Sequence, residues 1–177
     1  MILYKNVDIC DLESIMEKGI LSLDECGNNN WEDGKRSENS TDVVYLFKPI
    51  KELNSFPNYG IALLEVECEA EVHQMTEYDV HRNDYIEYVT KKVLPAQIKK
   101  IIIPRIFRER IYLPENIKVT WCEMYAEEYT DGYTYVSEER LKLFAETAPL
   151  NTINFNFFRG VEENGVVFDL NNIKYIW

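Results

Sequence analysis

Residues 84–104, DYIEYVTKKVLPAQIKKIIIP, constrain the fold more than any other stretch. Alternation puts Tyr85, Glu87 and Val89 on one face of a strand and Ile86 and Tyr88 on the other. Pro95 then starts a short helical turn, and Ile98 to Ile103 read as a second, very apolar strand. Glutamate is depleted in strands, so Glu87 needs a reason to be there. Two reasons are open. It is an exposed edge residue or the partner of a cross-strand lysine, or it is a catalytic carboxylate projecting from a sheet into a cleft.

The chain has 177 residues, enough for one domain, 1–177, with a real core. Its hydrophobic fraction of 46% argues against wholesale disorder. No run of eighteen apolar residues is present, so no membrane span is expected. The opening MILYKNVDICDLES has neither a basic n-region nor an apolar h-region, and a cytoplasmic location is the expectation. Cys10, Cys26, Cys68 and Cys122 are scattered without a CxxC pair, so free thiols are expected and a metal site is not. A net charge of −12 disfavours direct DNA binding, because such a surface repels phosphates. It suits a soluble protein, or one drawn to a basic partner protein. The 12 tyrosines, many in acidic segments, suit an interaction surface.

Taken in order, Met1–Asn6 reads as a strand, and Asp8 caps a helix carrying Ile9, Leu12, Ile15 and Met16 that stops at Gly19. Residues 24–42 form a long polar loop holding Trp31, Lys35 and Arg36. Trp31 is a lid over a ligand, a contact for a partner, or a ring tucked against the core. Ser40–Phe47 is a strand, and Pro49 starts a helical turn that buries Ile50, Leu53 and Phe56. A buried strand follows from Ile61, and Glu65, Glu67, Glu69 and Glu71 share a face read as solvated. His73 and His81 lack metal-ligand spacing, and His81–Arg82 are the better placed to line a site. Beyond the basic cluster Arg105–Arg110 lies a strand over Lys118–Tyr125. A helix capped by Ser137 comes next, burying Leu141, Phe144, Ala145 and Ala148, and then a hairpin turning at Asn164–Gly165.

Glu87 followed by Pro95, Ile98 and Ile101 resembles the catalytic-glutamate region of ADP-ribosyltransferases, in particular the DarT-like and related bacterial and phage branches. Tyr4-Lys5 before a helix, and STDVVY before a second helix, are similar to that family's two earlier motifs and stand in the same order. The resemblance covers about the first two-thirds of the chain. It implies an α+β fold with split sheets around an NAD cleft over residues 1–115. Residues 116–177 are then a divergent C-terminal extension of helix and β-hairpin.

The activity implied is NAD-dependent ADP-ribosyl transfer to a macromolecular acceptor, with NAD as substrate, in a toxin-like or phage conflict protein. Glu87 is the implied catalytic residue. Tyr4, Lys5, Ser40, Thr41, Tyr45 and Arg36 are the implied NAD-contacting residues. Lys5 stands where the family often has His or Arg, so its contact is a point charge without a planar fork. The net charge favours a protein acceptor over DNA. A different reading stands beside this one: a non-enzymatic acidic inhibitor that blocks a basic groove on a partner, as phage inhibitors of bacterial defence do.

Overall fold

The alternation of apolar residues along the strands of this chain needs a sheet with one face covered, and that is the architecture found. The computed structural model describes residues 1–27, 41–50, 62–74 and 85–122. It also describes the segments 53–57, 124–125, 165–169 and 172–176, and residues 143, 146, 147 and 150. The fold is α+β, with a mixed seven-stranded sheet and few helices.

The strands are β1 (Ile2–Val7), β2 (Val44–Pro49), β3 (Leu53–Pro57), β4 (Ala62–Glu67), β5 (Glu71–Val72), β6 (Tyr85–Thr90), β7 (Ile98–Pro104), β8 (Lys118–Cys122), β9 (Met124–Tyr125), β10 (Gly165–Asp169) and β11 (Asn172–Ile176). The larger sheet has the order β5-β6-β2-β1-β4-β7-β8. Its pairings are antiparallel except β7 with β8. A second, four-stranded sheet has the order β3-β10-β11-β9.

One face of the larger sheet is the core. Leu3 and Val7, Val44 and Leu46, Ala62, Leu64 and Val66, and Ile101 and Ile103 are buried there. Leu12 and Ile15 of α1 (Leu12–Lys18) join the same cluster, as does Phe107 from the 3-10 turn Arg105–Arg110. Each such side chain contributes about 1.5–3 kcal/mol when wholly buried, so a one-residue register slip is heavily disfavoured. β4 and β7 depart from strict alternation. Glu65 lies opposite Lys100 but Val66 opposite Ile98, so Lys99 is the extra residue of a bulge. The bulge keeps Ile98 in the core and turns Lys100 to the opposite face.

Gly19 ends α1 as expected, at φ +85°. Beyond it Ile20 and Val93 exchange backbone hydrogen bonds of 2.8 and 2.9 Å. A β-carbon at Gly19 would meet the Val93 carbonyl oxygen at 2.0 Å. α2 (Leu23–Cys26) occupies the start of the expected loop. The Ser22 hydroxyl accepts from the Glu25 amide, and Gly27 closes the helix in a left-handed conformation. Asp8 and Asp11 precede the first helical turns without capping through their side chains.

Two expectations are overturned. The segment after Pro49 is no helical turn over Leu53–Pro57 but strand β3, paired with β10 over Phe56↔Val166 and its neighbours. Apolar residues three apart fit a helical turn, and the strand's partner lies more than a hundred residues away, beyond any local signal. The hairpin does not turn at Asn164–Gly165 with β10 as its second arm. β10 has β3 on one side and β11 on the other, with Asp169 paired to Asn172. In the expected helix after Ser137, Leu143, Glu146 and Thr147 are helical, and the Thr147 hydroxyl donates to the Leu143 carbonyl. Leu141, Phe144, Ala145 and Ala148 lie outside the described residues. Residues 116–177 supply β8 to the larger sheet and three of the four strands of the smaller one.

Candidate functional site

The face opposite the core carries the polar and aromatic residues. Because paired residues share a face, register alone aligns Glu87, Phe47, Tyr4, Glu65 and Lys100 across β6, β2, β1, β4 and β7. Adjacent strands lie about 4.8 Å apart, which sets the backbones of Glu87 and Tyr4 roughly 10 Å from each other. Tyr45 is two residues from Phe47 on the same face, opposite Val89. Tyr4, Tyr45 and Glu87, separated widely in sequence, therefore share one surface.

At the Glu87 end, the His73 amide donates to the Glu87 carbonyl at 3.0 Å, which continues the β5–β6 pairing by one residue. The imidazole thereby comes to lie over the carboxylate, with Nδ1 2.8 Å from Oε1. The two atoms are within hydrogen-bond distance, but the contact is not aligned as a hydrogen bond. The Glu87 side chain is 20% exposed and that of His73 40%, so the carboxylate is the more enclosed of the two. Tyr45 meets the imidazole edge-on, with centroids 5.4 Å apart and planes at 89°. Phe47 lies between Tyr4 at 6.1 Å and Tyr85 at 5.6 Å. These four aromatic residues are half-buried and form a floor beside the carboxylate.

At the other end Glu65 accepts from the Tyr4 hydroxyl at 3.4 Å and pairs with Lys100 at 2.8 Å. The Tyr4 phenol is pushed up to about 12, by burial first and then by the charge and hydrogen bond of Glu65. Its hydroxyl is thus held protonated and donating. Glu65 belongs to this network and is not a solvated acid like Glu67, Glu69 and Glu71, which are exposed. Further along the same face Leu63 opposes Ile102, and both are fully buried, so the face is covered at that end. Asn6, between Tyr45 and Leu63 in register, has its Oδ1 buried without a partner among the described residues.

Lys5 is not brought to this surface. It follows Tyr4 in β1, so it points to the core side, where its ammonium donates to the Tyr45 carbonyl at 3.1 Å. Thr41 sits half-buried in the turn before β2, outside the row. Ser40 and Arg36 lie outside the described residues, as do Trp31, Lys35, His81 and Arg82. Sequence reasoning missed His73, Phe47, Tyr85 and Lys100. Phe47 and Tyr85 follow from period-two spacing to Tyr45 and Glu87. Lys100 depends on the bulge, and His73 on a pairing that no local pattern announces.

Burial, then the carboxylates of Asp11 and Asp8, raise the Cys10 thiol. Burial raises that of Cys68 against an opposing effect of the N-terminal ammonium. Neither is poised as a thiolate nucleophile. Among the described residues no group of His, Cys, Asp and Glu is arranged to hold a metal ion, and no helix is long and apolar enough to cross a membrane. No family model, curated protein or solved structure matches the chain.

Proposed function

We propose that the Glu87 face binds NAD and transfers its ADP-ribosyl group to a macromolecular acceptor, most simply a protein. The observation that carries this reading is the juxtaposition of Glu87, Tyr45 and Tyr4 on adjacent strands β6, β2 and β1. These are the three strands whose sequences resemble the ADP-ribosyltransferase motifs. A fold with split sheets around an NAD cleft belongs to the same proposal.

In the reaction, the glycosidic C–N bond of NAD breaks and its electron pair leaves with nicotinamide. The ribosyl carbon left behind is oxocarbenium-like. Glu87 accepts a hydrogen bond from the ribose 2′-hydroxyl and opposes the developing positive charge. It then receives or directs the proton released when the acceptor nucleophile bonds to that carbon. Tyr45 and Phe47 supply apolar surface for the planar nicotinamide. The Tyr4 hydroxyl, whose single proton is donated to Glu65, offers its oxygen as an acceptor to a ribose hydroxyl. Lys5 supports Tyr45 from behind and does not contact NAD. The surrounding negative charge favours a basic protein acceptor over DNA.

Binding is tested by calorimetry or thermal shift with NAD. Ligand bound to the native state stabilises it by about 2.7 kcal/mol at a hundred times the Kd. A rise in melting temperature that is lost in Tyr45→Ala is expected. No rise at millimolar NAD would remove the proposal and leave the acidic-inhibitor reading, which the exposed series Glu67, Glu69 and Glu71 favours.

A further inference from the structure

We infer that His73 is a positioning residue for Glu87, holding one carboxylate oxygen so that the other is presented to a ligand. The inference rests on the reading that Glu87 acts on bound NAD. Three observations carry it. The His73 backbone is fixed to that of Glu87 by the 3.0 Å hydrogen bond, so the two side chains share a face at the edge of the sheet. Nδ1 is buried and lies 2.8 Å from Oε1. The ring is braced edge-on by Tyr45, itself a proposed wall of the nicotinamide site.

At 2.8 Å Nδ1 is within hydrogen-bond reach of Oε1, and the proposed pairing places a proton on Nδ1, which a small rotation of the ring aligns with that oxygen. Oε1 is then occupied. Among the described residues Oε2 has no such contact, which makes it the oxygen that receives a ligand hydroxyl. A carboxylate on a strand has freedom about three side-chain bonds. His73 removes that freedom before the ligand arrives, which lowers the cost of reaching the reactive geometry.

The test has two arms. Long-range ¹H–¹⁵N spectra at pH 8 report which imidazole nitrogen bears a proton, and the chain has only 2 histidines to assign. The expected result is a proton on His73 Nδ1 in the wild type, lost to Nε2 in Glu87→Ala. A bare Nδ1 in the wild type, or no change on removing Glu87, would overturn the inference whether or not NAD is the ligand. In the second arm, His73→Leu should lower ADP-ribosyl transfer on the order of tenfold to a hundredfold, with NAD affinity nearly unchanged. His73→Asn, whose amide nitrogen stands near the place of Nδ1, should restore most of it, and His73→Gln should not. Equal loss in the Leu and Asn variants would contradict positioning through Nδ1. A wild type with Nδ1 protonated but no transfer would count against the NAD reading and not against the pairing.

Discussion

Glu87 is enclosed by His73 on one side, with Phe47 directly across the strand pair, an unusual setting for an acid that serves only solubility. Removing its charge while keeping its size separates the roles open to it. Glu87→Gln should leave folding and NAD binding nearly intact and lower transfer on the order of 10²–10³-fold, because the charge acts where positive charge develops. Tyr4 gives a second test. With its folded phenol at about 12 and an unfolded value near 10, the native state holds the proton longer. Its contribution to stability is therefore complete below pH 10 and is lost as pH rises through 12. Denaturation at stepped pH should show this fall in the wild type and a smaller one in Tyr4→Phe. Lys5 marks how far residue-level reading reaches. Strand neighbours point to opposite faces, so Tyr4 and Lys5 could not both meet one ligand, and that was legible in the sequence. That Lys5 turns inward followed from the burial of Leu3 and Val7 beside it.

Among the elements, those with their own local signal were readable. β1, α1, β6 and β7 show alternation or helical spacing, and Gly19 punctuates the helix end. The Gly19 backbone, at φ +85° and ψ −173°, lies in a region open essentially to glycine alone, and it also passes against the Val93 carbonyl. Gly19→Ala should destabilise the fold by at least about 1–3 kcal/mol, read as a lowered urea midpoint with unchanged slope. β3 and the His73 contact were not readable, for one reason. Each is defined by its partner: β3 by β10, and His73 by the continuation of β5 along β6. The bulge at Lys99 escaped as well, since Ile98 and Lys100 are spaced to share a face in a regular strand and do not.

For the whole molecule, the resemblance stops near residue 115 but the sheet does not. β8 lies along β7 beside Ile101, Ile102 and Ile103, all fully buried, and Val119 and Trp121 pack against the core. A chain cut after residue 115 loses that edge and three strands of the second sheet. It should fail to give a cooperative unfolding transition, which circular dichroism on heating would record. A fragment as cooperative as the full chain would contradict the sheet order. The charge of −12 acts at the same scale. Association with a basic partner should weaken steeply with salt, whereas NAD turnover in the enclosed Glu87 site should respond less.

Glu87 is proposed to serve a transfer reaction. The direct measurement is incubation of the protein with NAD labelled in its ADP-ribose part and a cell lysate, beside Glu87→Gln at equal concentration. Protease-sensitive label on a macromolecule is expected with the wild type, reduced on the order of 10²–10³-fold in the variant. Equal labelling by both proteins, or no labelling by a folded wild type, would contradict it.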